Sequence, residues 1–262
     1  MLFLLRQIRR KLLTDSKVTT YLLYAVGEIL LVVIGILIAV SIDNWNDDRK
    51  QKLTELKYFQ NLKTDLLTDV ENLNEKIRYS QRKVEISSKM MKRIKMDSIG
   101  SLYDFANDMQ ILILVEEFRP DQSTYSEMKS SGNFSTIEND ELKLKLLNLQ
   151  QAYIDIGSMQ EHVRNDFDVF LEDFQQHYEW GNYYNMDASD LINQVLTYDT
   201  LFIETNRKNL EGQVRYLLHD KVFSNNISLI QLNHAYEVDM LENTEGIIRE
   251  IIEILDKEIG GN

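Results

Sequence analysis

Four histidines, forty-two carboxylates and no cysteine set the chemistry open to this chain of 262 residues. Without a thiol there is no disulfide, thiolate metal site, iron–sulfur cluster or cysteine nucleophile. His162, His177, His219 and His234 are too scattered for a His-Glu-x-x-His zinc helix, and no Glu-x-x-His pair of the di-iron kind occurs. Glu161 and His162 are adjacent, so one helical face cannot turn both toward a metal. The Gly-x-Ser-x-Gly elbow, the phosphate loop and the dinucleotide fingerprint are missing as well. The sequence therefore predicts no catalytic, metal or cofactor-binding residue, and a protein that is not an enzyme.

Three polar or aromatic features remain. Tyr178, Trp180, Tyr183 and Tyr184 crowd the end of a helical stretch, where such rings form a candidate binding patch or cap the core. His177 and His234 fall in apolar rows, as core histidines with a hydrogen-bonded neighbour or as groups that respond to pH. Glu28 is the one charge in an otherwise apolar run, where a carboxyl is costly. It shares a helical face with Val32, Gly35 and Ala39, and Gly35-x-x-x-Ala39 permits close approach of backbones, so this face is the candidate contact with a second span. The alternative is a Glu28 that is protonated or reaches to the membrane interface.

The elements that position these residues follow from charge and apolar spacing. Residues 1–20 carry Arg6, Arg9, Arg10, Lys11 and Lys17 against Asp15, and their apolar residues recur at helical spacing, as in a helix lying on an anionic membrane surface. Residues 43–262 hold 24 basic and 40 acidic residues, so the net charge of −13 hides two opposite ends. An acidic body excludes nucleic acid as its partner. Between them Tyr21–Ile42 is apolar on every face and about 33 Å long as a helix, enough to cross a bilayer. Tyr21, Tyr24 and Trp45 mark its margins. A core helix or a cleaved signal sequence are the alternatives. The excess of basic residues before the span predicts a cytoplasmic N-terminus and a periplasmic body, anchored in a bacterial inner membrane.

Beyond the span, a single proline among 262 residues favours long helices. Apolar residues recur in alternating steps of four and three at Leu66, Val70, Leu73, Ile77, Ser80, Val84, Ser87 and Met91, with the charged residues between them assigned to solvent. Similar rows run from Leu142 to His177 and from Ile227 to Ile259, and Leu210–Lys221 suggests a shorter helix. The expected fold is all-α: one transmembrane helix at 21–42 continuing into an elongated antiparallel helical bundle or coiled coil at 43–262. Ile111–Val115 is expected as buried helix, Pro120 as the stop of a helix, Ser130–Asn133 as a turn and Asn139 as a cap.

Two stretches resemble a known family. The run from Tyr21 to Ala39 with Asn44-Trp45-Asn46, and Thr124–Asn133 with Ile137 and Asn139, are similar to an uncharacterised family of single-pass membrane proteins common in Bacteroidota. Met128 and Phe134 stand where aliphatic residues are expected. The resemblance implies an anchored envelope protein and carries no activity. The partners expected are the lipid bilayer and either a second copy of the chain or another envelope protein, in a scaffold role. A ligand sensor acting through a partner, and a periplasmic hydrolase or sugar-binding protein, are the alternatives.

Overall fold

The computed structural model describes residues 16–185, 187 and 197–261. The basic segment expected at residues 1–20 lies outside the described residues apart from the helical backbone of 16–20. Helix α1 runs Ser16–Met96, α2 Leu102–Ile113, α3 Ser123–Ser130, α4 Asn133–Thr136, α5 Asp140–His177, α6 Thr200–His219 and α7 Lys221–Gly260. A 3-10 turn spans Trp180–Tyr183, and the one strand-like feature among the described residues is a single antiparallel bridge between Tyr184 and Tyr198. The fold is all-α.

The chain divides into two compact units, up to Lys57 and from Tyr58 onward. In the first, α1 carries an 18-residue window of mean hydropathy 2.7, none of it buried. Its long apolar side chains stand outward on all sides, from Tyr21 through Leu31 and Leu37 to Ile42.

The second unit is a bundle whose frame is α1 from Tyr58, α5 and α7. Helix α7 runs antiparallel to α1, as shown by Asn74 Nδ2 donating to Glu245 Oε1 at 3.2 Å and, lower down, Gln231 Nε2 donating to Ser88 Oγ at 2.8 Å. It is antiparallel to α5 as well, through Lys145 with Glu250 at 2.6 Å and Asn233 with Asp166 at 2.9 Å. Two helices opposed to the same third helix are parallel to each other, so the chain between α1 and α5 must travel back along the bundle. Helices α2 to α4 make that return.

Local chemistry sets the ends. Gly132, with φ +80°, makes the left-handed turn between α3 and α4 that an L side chain resists. Asn139 caps α5 by accepting from Leu142 N at 3.0 Å, as its position predicts. Asp220 accepts from Val222 N and Phe223 N, so α6 and α7 stay separate helices. Two expectations are corrected. Helix α2 ends at Ile113, leaving Leu114 and Val115 exposed in an extended segment; Lys76, Tyr79 and Lys83 take carbonyls of residues 112–116, which draws the chain away from helix. Pro120 therefore stops no helix and sits in that segment, before α3 begins at Ser123.

The apolar interior consists of two cores. One joins Phe59, Leu66 and Leu73 of α1 to Leu142–Ile156 of α5 and Leu241–Leu255 of α7. The other joins Met90 of α1 to α2, to Phe170 and Phe174 of α5, to α6 and to Phe223 and Ile227 of α7.

Candidate functional site

Between the two cores the bundle is polar. The inward row of α1 is Phe59, Leu62, Leu66, Asp69, Leu73, Lys76, Ser80, Lys83, Ser87 and Met90, an alternation of threes and fours. Asp69, Lys76 and Lys83 recur every seven residues on that row and are all buried. This corrects the row read from the sequence: Val70 and Val84 are half-buried beside it, and the charges assigned to solvent point inward. On α7 the same shift puts Glu237 and Thr244 inside in place of Val238 and Glu245, next to the buried His234.

Glu237 organises the layer. Its Oε1 lies 3.0 Å from Lys76 Nζ, and its Oε2 accepts from Ser80 Oγ at 2.8 Å and meets His234 Nδ1 at 2.8 Å. Lys76 also donates to the Glu116 carbonyl at 2.7 Å, and Lys83 donates to the carbonyls of Leu112 at 3.1 Å and Leu114 at 2.5 Å. The Tyr79 ring lies between the ammonium groups, 5.3 Å from Lys76 and 5.2 Å from Lys83, and its hydroxyl donates to the Leu114 carbonyl. Lys83 thus supplies a donor to the Leu112 carbonyl that α2 leaves free at its C-terminal end, and together with Lys76 and Tyr79 it serves carbonyls of the extended segment that follows.

Burial governs the protonation of this cluster. It lowers Lys83 to about 7, with repulsion from Lys76 added and only part of the loss restored by Glu237 and Glu116. His234 is lowered by burial first and by the two ammonium groups, against its bond to Glu237. Burial pushes Glu237 up, but the His234 bond, the Lys76 charge and the Ser80 bond outweigh it and hold the carboxyl at about 2. Burial and the neighbouring carboxylates raise Tyr79. The layer therefore carries an ionised Glu237, a neutral His234 and a Lys83 near half-protonation at neutral pH.

Beside it opens a crevice with a cavity volume of about 30 Å³, walled by Lys76, Lys83, Val115, Phe167, Leu229 and His234. That is room for one or two water-sized species and too little for an organic substrate.

The residues singled out by sequence fall elsewhere. Tyr178, Tyr183 and Tyr184 are 5%, 0% and 5% exposed, so three members of the expected binding patch are core, and Trp180 alone is half-exposed. Their rings stack into an aromatic layer: Tyr178 lies 5.0 Å from Phe174 and 5.3 Å from Tyr183, and Tyr184 lies 5.3 Å from Tyr198. Burial raises the Tyr178 phenol well above its ordinary value and Tyr183 to about 12, so these hydroxyls stay neutral. His162 pairs with Asp166 at 3.5 Å, His219 with Asp97 at 3.6 Å, and His177 stacks on Tyr216 at 4.8 Å; none joins the polar layer. Glu28 and Val32 are exposed, and a side chain placed at Gly35 would meet nothing within 4 Å. No group of three or more His, Cys, Asp or Glu able to hold a metal occurs among the described residues.

Fold and site define a class: an all-helical protein with one fully exposed apolar helical stretch and a bundle divided by a buried ionic layer. The chain belongs to a family of unknown function (DUF6090), whose model matches residues 28–204. The match takes in Lys76, Lys83 and the extended segment after α2, whereas His234 and Glu237 lie beyond it. No curated protein and no solved structure matches the chain.

Proposed function

We propose that the protein is a membrane-anchored helical scaffold of the bacterial envelope, whose second unit binds another protein or a second copy of itself and catalyses no reaction. The observation that carries this reading is the stretch Tyr21–Ile42. A soluble helix buries its apolar face, whereas here none of the most apolar window is covered and the apolar residues face every direction. The basic residues before the stretch and the acidic body after it favour a cytoplasmic N-terminus and a periplasmic second unit. Binding is favoured over catalysis because the buried charges are engaged with each other and with backbone carbonyls.

A reporter enzyme active only in the periplasm, fused after Asn262, tests the anchor and its orientation together. Activity at the level of a secreted control is expected. An inactive fusion whose activity appears when the reporter is moved before Tyr21 reverses the orientation, and a chain recovered in the soluble fraction removes the anchor. Crosslinking in native membranes tests the partner, with a discrete dimer or heteromeric band expected.

A second reading, a sensor that acts through a partner, is favoured by the polar layer. A buried lysine near half-protonation beside a crevice responds to its surroundings in a way an apolar core does not.

A further inference from the structure

The buried charges of the polar layer do not balance. Lys76 and Lys83 are both at most 5% exposed, and among the described residues Glu237 is the single buried carboxylate in contact with either ammonium group. Lys83 has only neutral carbonyls as hydrogen-bond acceptors, Leu112 and Leu114. An ammonium has three donors, and each of the two lysines uses two of them on the acceptors described. Both line the same crevice of about 30 Å³, whose walls include the apolar Val115, Phe167 and Leu229 as well as polar and acidic side chains. A buried cation without a counter-charge is costly, and the cost falls if an anion enters.

We propose that the crevice between α1, α5, α7 and the segment after α2 is a binding site for one small monovalent anion of chloride size, held by Lys83 and Lys76. Size decides the class: the volume admits one or two water-sized species, so a halide fits and a phosphate ester or sugar acid does not. Surroundings decide the charge. From α1 the site faces Lys76, Tyr79 and Lys83; from the extended segment Glu116 and Glu117; from α5 Asp166; from α7 His234 and Glu237. Glu117 is engaged with Arg119 and Arg164, while Asp166 and Glu116 keep their charge but reach solvent, which screens them; the positive excess is therefore confined to the fully buried groups, where two lysines face the one carboxylate of Glu237. Occupancy depends on pH, because the anion binds the protonated form of Lys83, whose proton is lost around pH 7. The site is independent of the membrane reading.

The test uses the full chain in detergent. Sodium chloride or bromide is titrated against sodium gluconate at constant ionic strength, with the melting temperature and the chlorine-35 NMR line width as readouts. A saturable rise in melting temperature with chloride and bromide, absent with gluconate and weakening as pH rises above 7, is expected. Lys83→Met should weaken the chloride dependence at least tenfold, whereas Lys92→Met, at an exposed lysine of the same helix, should leave it unchanged. Should Lys83→Met fail to fold, the chloride-against-gluconate comparison and the line width on the wild-type chain decide alone. Equal effects of chloride and gluconate, or no line broadening, would mean that water alone fills the crevice and would overturn the proposal.

Discussion

Lys76 Nζ and Glu237 Oε1 lie 3.0 Å apart with side chains 5% and 2% exposed, so the middle of α1 is tied to α7 by an ion pair shielded from water. Around it the bundle exchanges apolar packing for hydrogen bonds, and the two cores on either side meet across a layer that tolerates little rearrangement. A pair in this setting contributes specificity more than net stability, because desolvation offsets much of the attraction. Removing one partner is another matter, since the survivor stays buried with its charge.

Glu237→Gln is therefore expected to destabilise the second unit by roughly 3–5 kcal/mol, the range for breaking a buried pair. Lys76→Met combined with Glu237→Leu should cost much less than Glu237→Gln alone. Urea unfolding of the full chain in detergent, followed by far-ultraviolet circular dichroism, measures both. A double variant no more stable than the single one would assign the loss to packing and not to charge.

Stability should climb with pH above neutrality. Lys83 in the unfolded chain keeps its proton up to its ordinary value near 10.5, whereas in the fold it gives the proton up at about 7. Between those values the unfolded state binds more protons, so raising the pH favours the fold; below about 7 both states are protonated and this contribution no longer changes. The gain is on the order of a few kcal/mol across the window, at about 1.4 kcal/mol per pH unit. Denaturation at pH 7 and pH 9.5 should show a clear rise for the wild type and a flatter response for Lys83→Met.

Much of this architecture was legible in the sequence, and what was not has a physical reason. The row Leu142, Leu146, Leu149, Tyr153 and Ile156 is buried as its spacing implies, because α5 presents a purely apolar stripe. On α1 two neighbouring rows compete, and the apolar one, through Val70 and Val84, loses to the row through Asp69, Lys76 and Lys83. The partners that make the two lysines tolerable are carbonyls of residues 112–116 and a carboxylate more than 150 residues away, and Asp69 accepts from the Tyr153 hydroxyl and Asp121 N; no local pattern carries that information. Two signals were available: His234 in an apolar row, and the heptad spacing of Asp69, Lys76 and Lys83, which the rule that charges face water hides. The aromatic run from Tyr178 failed as a surface for the opposite reason: large rings at a helix end are as good at closing a core as at binding.

The aromatic layer gives a graded prediction. Tyr183 is fully buried among Tyr178 and its neighbours, so Tyr183→Ala should cost about 3–5 kcal/mol, as large aromatic truncations in cores do. Trp180 is half-exposed, and Trp180→Ala should cost clearly less. The same unfolding measurement ranks them, and a Trp180 variant as damaging as the Tyr183 variant would place the ring inside the core.

Asn139 joins two helices with one side chain. Its Oδ1 accepts from Leu142 N at 3.0 Å, and its Nδ2 donates to Glu258 Oε1 at 2.7 Å. Asn139→Ala should lower stability by about 1 kcal/mol for the lost cap, and Asn139→Asp should keep the cap while losing the bond to Glu258. An Asp variant equal to wild type would leave the cap as the whole contribution.

The exposed apolar stretch offers a test that the absence of cysteine makes unusually clean, because any thiol introduced is the only one in the chain. If Gly35 and Ala39 face a second copy of the span, Ala39→Cys should form a disulfide-linked dimer in native membranes under mild oxidation. Leu37→Cys, on the opposite side of the helix, should not. Adding Gly35→Leu to the Ala39→Cys chain replaces the smallest residue on that face with a branched one, and should reduce the dimer several-fold by holding the backbones apart. Glu28→Leu in the same background separates polarity from shape: a further loss of dimer means the carboxyl bonds across the pair, and an unchanged yield means the small residues alone bring the helices together. Equal crosslinking from positions 37 and 39 would show that the spans meet at random, and the candidate face would then have no partner in a second copy.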